Sequence, residues 1–283
     1  MDTGHNFIER AKAFIALHDQ PGIFVIPNPW DAGSAMIMET MGFKALATTS
    51  AGLAYGLGVP DGHTSVTRQV ALENAKVIQK ATSLPVSADL ENGYGHSIED
   101  VITTVTLAAE AGLAGCSIED ATGDKANPIY PFDVAVERVK AAVAAKRDLD
   151  QPFTLTARAE NYLHGHMNLN DTVNRLTAFA AAGADVLFAP GLKTAEEIKT
   201  VVDAVHPKPV NVIMGLAGVL MSITMLEHLG VKRISVGSSL IRAAYGEFFR
   251  ALDEIKARGT FTYADKSTPY GDLNEIFGNF GKR

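Results

Sequence analysis

The sequence predicts a single parallel (β/α)8 barrel, and three observations carry that prediction. Short apolar runs alternate strictly with helical stretches, eight of each, and such alternation implies a parallel sheet with right-handed crossovers. Four helical stretches end on a glycine (Gly42, Gly112, Gly183 and Gly230) directly before an apolar run, and glycine is favoured just past a helix end. The chain has 283 residues, enough for a fold that typically takes about 250. An open doubly wound sheet is the alternative, but no Gly-x-Gly-x-x-Gly follows the first strand.

The elements follow in order. Phe7 to His18 carries apolar residues at helical spacing and reads as a short amphipathic helix. Ile23 to Pro27 is the first strand, and helix Ala32 to Met41 stops at Gly42. Ala45 to Thr49 is the second strand, running into Ser50-Ala51-Gly52. A long loop, Leu53 to Thr64, is expected next, since it holds Gly56, Gly58, Pro60, Gly62 and His63. Ser65 to Thr82 is helical, and strand three begins after Leu84. The unit then repeats as helix 98–111, strand 113–119, helix 131–146, strand 153–158, helix 170–182 and strand 184–188. It closes as helix 194–205, strand 210–214, helix 222–229, strand 233–236 and helix 240–258. The span 1–283 is thus one barrel domain with a C-terminal tail, 259–283, rich in aromatic and turn residues and expected to pack on a neighbouring subunit.

Composition narrows the function. Net charge is −7 with no long basic cluster, which argues against nucleic acid as a partner. One cysteine excludes an intrachain disulfide framework and a cysteine-rich zinc site. No stretch approaches the ~18 unbroken apolar residues of a membrane span, and residues 1–10 lack an apolar signal core. A cytoplasmic protein with no membrane partner is the expectation.

The chemistry gathers at three strand ends. Pro85-Val86-Ser87-Ala88-Asp89-Leu90-Glu91-Asn92-Gly93-Tyr94-Gly95 is a buried strand that hands two carboxylates to a glycine-rich turn. Ser97-Ile98-Glu99-Asp100 then starts a helix as a capping box. The next strand ends in Glu119-Asp120, and the one after in Arg158-Ala159-Glu160. In α/β folds ligands bind at the carboxyl ends of strands. Carboxylates suit a hard divalent cation such as Mg²⁺, and an arginine suits an anionic substrate. A solvated acidic loop is the bland alternative, but three successive charged strand ends are hard to explain as packing.

These three motifs, in this order and spacing, resemble the isocitrate lyase / phosphoenolpyruvate mutase superfamily from about Asn28 to Ala251. That resemblance implies a Mg²⁺- or Mn²⁺-dependent barrel acting next to an α-oxo acid through an enolate. It implies that Asp89 coordinates the metal, with Glu91, Glu119 and Asp61 around it, and that Arg158 binds the substrate carboxylate and stabilises the enolate. Thr49-Ser50-Ala51-Gly52 matches the turn that holds the substrate carboxylate and oxo group. It further implies a homo-oligomer, a tetramer, with the eighth helix exchanged between subunits.

The departures bear on the reaction. Isocitrate and methylisocitrate lyases carry a cysteine and a histidine in the loop after the fourth strand. Here it reads Lys125-Ala126-Asn127-Pro128-Ile129. Lys125 and Asn127 lean toward the phosphonomutase branch, while Pro128 and Pro190 oppose it. The expected activity is C–C cleavage of a small α-oxo or 2-hydroxy acid by retro-aldol reaction or decarboxylation, with Arg158, Lys125 and Asn127 as catalytic candidates. P–C chemistry and a non-catalytic oxo-acid-binding barrel are the alternatives. Cys116, mid-strand, reads as core. His63 and His96 read as loop histidines, and His164 and His166 read equally as solvated loop or lid contact.

Overall fold

A computed structural model describes residues 3–62 and 66–278. Eight parallel strands form one sheet: β1 (Phe24–Ile26), β2 (Leu46–Ala47), β3 (Val86–Asp89), β4 (Gly115–Glu119), β5 (Thr154–Arg158), β6 (Val186–Phe188), β7 (Val210–Ile213) and β8 (Arg233–Ser235). Their order is β1-β8-β7-β6-β5-β4-β3-β2, so β1 and β2 face each other across a seam. Two contacts stitch that seam. Ala47 N–H donates to the Pro27 carbonyl at 3.1 Å. Asn28 Nδ2 donates to the Thr48 carbonyl, while its Oδ1 accepts the Val236 and Gly237 amides at 2.8 and 2.9 Å. The result is a nearly closed (β/α)8 barrel.

Helices α1 (Thr3–Asp19), α2 (Ala32–Thr40), α3 (Ser50–Gly56), α4 (Arg68–Lys80), α5 (Ile98–Glu110), α6 (Phe132–Arg147), α7 (Leu169–Ala182), α8 (Ala195–Val205), α9 (Ile223–His228), α10 (Ser239–Arg258) and α11 (Tyr270–Gly278) surround the sheet. Side-chain caps fix where they start. Asp31 with Ser34, Ser97 with Asp100 and Thr194 with Glu197 are complete capping boxes, each satisfying two otherwise unpaired groups. Gly183 ends α7 with φ 108°, a left-handed turn that other residues resist. One continuous core joins strands and helices, with Leu46, Leu155, Leu187, Phe179 and Ile198 fully buried. Phe14 and Ala11 of α1 form a second cluster with Ile26, Ala45 and Ala114.

One expectation is corrected. The stretch after β2 is not a structureless loop from Leu53: residues 50–56 form α3, capped by the Thr49 side chain on the Gly52 amide at 3.1 Å. The glycines at both ends of this turn hid it, because its stability comes from the cap and from burying Leu53 and Ala54 against Val66 and Ala71. His63 and Thr64 of that expected loop lie outside the described residues.

The tail folds back at its start. Glu254 on α10 accepts hydrogen bonds from the Thr260 and Thr262 hydroxyls and the Thr262 and Tyr263 amides, which turns the chain back. α11 then lies against α2 of the same chain.

Candidate active site

The carboxyl ends of β3, β4 and β5 converge on one guanidinium. Asp89 closes β3, Glu119 closes β4 and Arg158 closes β5, with Glu119 and Arg158 register partners across the sheet. Arg158 Nη1 donates to Asp89 Oδ1 at 2.6 Å, Nη2 reaches Glu119 Oε2 at 3.0 Å, and Nε donates to Glu160 Oε1 at 2.9 Å. Burial works against the Arg158 cation, but Glu119, Glu160 and Asp89 outweigh it and hold the group firmly protonated.

The second face of Asp89 is set by the β2–α3 junction. Ser50 donates its amide and hydroxyl to Asp89 Oδ2 at 3.2 and 3.0 Å, and the Ser117 hydroxyl reaches Oδ1 at 3.3 Å. Thr48 Oγ1 accepts the Asp89 amide at 2.9 Å. Asp89 therefore spends about four acceptor positions on Arg158, Ser117 and Ser50, so a cation bound there shares an oxygen with one of them.

Above this layer lies a cleft of about 550 Å³ lined by Ser50, Asp61, Glu91, Glu119, Lys125 and Arg158 among others. The structure thus brings Asp61, Asp89, Glu91, Glu119, Arg158, Ser50 and Lys125 to one place, with Thr49 beneath in a small cavity of the barrel interior. Ala51 and Gly52 lie in the first turn of α3 and do not line the cleft. Nor does Asn127, whose Nδ2 donates to Asp124 within its own loop at 3.1 Å. The loop folds on itself because Asp124 also accepts the Ala126 amide, a short-range pairing that needs no partner outside it.

The cleft holds more negative than positive charge. Burial, then Asp89, push Asp61 up from its ordinary value. Burial pushes Glu91 up to about 7, helped by Asp89 and Asp61. Burial likewise raises Glu119, against the pull of Arg158. An all-oxygen donor set with surplus carboxylate fits Mg²⁺ or Mn²⁺, which keep several waters and need only one or two carboxylates. Among the described residues no three His, Cys, Asp or Glu side chains form a ready-made cage.

A stability prediction follows. Between its ordinary 4.5 and about 7, Glu91 binds more protons folded than unfolded, so its contribution to stability falls as pH rises through that window. Metal-free protein should lose up to about 3 kcal/mol between pH 5 and pH 8, and Glu91→Gln should flatten that loss. Thermal melts in EDTA at both pH values test it; equal slopes in the two proteins would refute the assignment.

Buried arginines off the strand-end motifs build the scaffold. Arg138 of α6, 2% exposed, donates to the Asn92, Gly95, His96 and Ser97 carbonyls and lies 4.5 Å over the Tyr130 ring. It holds the turn after β3, where Glu91 and Tyr94 adopt positive φ of 49° and 57°. Arg175 of α7 pairs with buried Asp120 at 3.0 Å, and Asp120 Oδ1 accepts the Glu160 amide at 2.7 Å. Arg233 of β8 donates to Asn211 Oδ1 and Thr156 Oγ1 inside the barrel. No strand-end pattern flags these residues; only their helical or strand register against buried neighbours could have done so. Cys116 is fully buried and its thiol is pushed up by that burial, as a core residue should be. His96 bonds the Tyr130 hydroxyl at 2.6 Å, away from the cleft.

Comparison with known proteins gives a consistent picture. The family model described as phosphoenolpyruvate phosphomutase matches residues 14–256. A solved structure from Burkholderia cenocepacia J2315, described as a candidate lyase/mutase, is 53% identical with a TM-score of 0.94 and covers 97% of each chain. The oxaloacetate decarboxylase of Bradyrhizobium diazoefficiens is 30% identical over 237 residues, 78% of this chain and 80% of that one. Oxaloacetate acetylhydrolase solved with its product oxalate is 27% identical with a TM-score of 0.85, covering 96% of this chain and 94% of the other.

Proposed function

The chain belongs to the phosphoenolpyruvate phosphomutase family, and from that premise we propose that it is a divalent-metal-dependent lyase cleaving a C–C bond of a small α-oxo or 2-hydroxy carboxylic acid through an enolate. The observation that carries this reading is the Arg158 guanidinium, locked between three strand-end carboxylates on the floor of an acidic cleft. Asp89, with Glu91, Glu119 and Asp61, is the donor set for Mg²⁺ or Mn²⁺. When bound, the cation supplies positive charge where the oxo oxygen becomes negative. Arg158 binds the substrate carboxylate and shares in neutralising that charge. Ser50 and Thr49 orient the oxo acid from the β2 side. Lys125 faces the cleft from the β4–α6 loop, where closing of the loop would exclude water.

Carbon–carbon cleavage is favoured over P–C chemistry by the loop itself. Lys125 lines the cleft, as P–C chemistry would want, but Asn127 is tied to Asp124 and Pro128 stands where a serine is needed. The test is Mg²⁺-dependent pyruvate release from a panel of oxo and hydroxy acids. Oxaloacetate should be turned over. Isocitrate and methylisocitrate should not exceed trace rates, since a missing acid–base group costs about 10²–10⁴-fold. Isocitrate cleavage near the ~10 s⁻¹ enzymatic median would overturn this reading.

The assembly reading is a homo-oligomer, a tetramer, with α10 exchanged between subunits. Its support is the apolar surface α10 leaves open: Phe248 and Phe249 are 59% and 64% exposed, and Leu252 44%. Sedimentation at micromolar concentration should give a mass of several chains, and Phe248→Glu with Phe249→Glu should reduce it. A monomeric wild type sinks the idea.

A further inference from the structure

The cleft contains a group that the reading above leaves idle. His164, in the loop between β5 and α7, lines it together with Arg158, Glu160 and Lys125. The loop that carries it is pinned from below. Buried Asn161 donates to the His166 and Asn168 carbonyls at 3.1 and 3.3 Å and exchanges hydrogen bonds with the Thr172 hydroxyl. The backbone then turns twice: the His164 amide donates to the Glu160 carbonyl and the Gly165 amide to that of Tyr162, both at 3.3 Å. His164 is therefore an exposed side chain on a fixed backbone, four residues from a glutamate that touches Arg158.

An enolate reaction needs a group that moves a proton to or from carbon. Glu119 and Glu160 are spent on Arg158. Asp61 and Glu91 belong to the cation's donor set in the reading above. Asp124 accepts two hydrogen bonds from its own loop. Lys125 and His164 are what the described lining leaves. Of the two, only an imidazole offers both a donor and an acceptor nitrogen, which suits a group that must give and take back a proton. His164 is exposed and lines the cleft, so its ring meets what binds there.

We propose that His164 is the proton carrier of this cleft, delivering a proton to the substrate carbon after the C–C bond breaks. The proposal rests on the enolate reading. In a four-carbon oxo diacid, the bond from C3 to its carboxyl carbon breaks and carbon dioxide leaves. The electron pair passes to C3 and the oxo oxygen as an enolate. The imidazolium N–H protonates C3, restoring the ketone, and the neutral ring takes a proton back from water. One dianion and one proton give pyruvate and carbon dioxide.

The test uses the full chain with Mg²⁺ and His164→Gln. Two readouts are taken: enzyme-dependent decarboxylation of oxaloacetate, and exchange of pyruvate methyl protons with deuterated water followed by NMR. Both should fall about 10²–10⁴-fold in His164→Gln and recover in part with added imidazole. The thermal shift given by oxalate should stay unchanged, because Arg158 and the carboxylates are intact. Exchange in His164→Gln within threefold of wild type overturns the proposal, as does a loss that imidazole cannot restore. A wild type that neither decarboxylates nor exchanges removes the enolate reading, and this proposal with it; the enolate reading survives if only His164→Gln behaves like wild type.

Discussion

Arg158→Ala is expected to abolish turnover and to erase the stabilisation that oxalate with Mg²⁺ confers. Oxalate is a planar mimic of the pyruvate enolate. At 100 times its dissociation constant it should stabilise the wild type by about 2.7 kcal/mol. Arg158 is the hydrogen-bond donor shared by Asp89, Glu119 and Glu160, so its removal does two things. It takes away the cation that meets developing negative charge, for which a single lost donor typically costs about 10²–10³-fold. It also leaves Asp89, Glu119 and Glu160 facing one another without the cation between them, which should displace Asp89 by like-charge repulsion. Combined loss should exceed roughly 10³-fold. Arg158→Lys separates the effects: it keeps the charge but not the planar fork that reaches three acids, so it should recover stability before activity. Pyruvate release and melts with and without oxalate measure both. An Arg158→Ala protein that still shifts with oxalate would rule out this arginine as the carboxylate anchor.

Arg138→Met should be the most destabilising single change in the scaffold. The guanidinium serves four main-chain carbonyls of the turn at residues 92–97, and among the described residues no acid forms an ion pair with it. Methionine fills the space and the stack on Tyr130 but cannot donate. Hydrogen bonds to a charged donor are worth roughly 1.5–3 kcal/mol each, although losses within one network do not add. A total near 4 kcal/mol is expected, which lowers the melting temperature by about 10 °C in a chain of this size. Because the same turn carries Glu91, kcat should fall as well, although Arg138 does not line the cleft. A melting temperature within about 2 °C of wild type would mean that water replaces the donors, and the turn would not owe its form to Arg138.

What the sequence by itself determined is the part of this protein written in local pattern. Period and punctuation are enough for eight βα units, since each strand is a short apolar run and several helix starts carry their own cap, as at Ser97 and Thr194. Charge at the ends of apolar runs is enough to gather Asp89, Glu91, Glu119 and Arg158, because parallel strands all deliver their carboxyl ends to one rim. Only the tertiary structure decided the rest. Whether Asn127 reaches the cleft depends on which partner its amide finds, and Asp124, three residues away, wins over the site. Helix α3 forms in a glycine-containing stretch because Thr49 caps it and α4 covers its apolar face. Arg138 and Arg175 read as ordinary helix-surface residues until packing places α6 and α7 against the barrel. Their roles are set by partners 41 to 55 residues away, whose positions no local pattern encodes: Asp120 for Arg175 and the carbonyls of residues 92–97 for Arg138. Long-range hydrogen bonding to buried groups is a property of the assembled barrel, and it is there that the site acquires its shape.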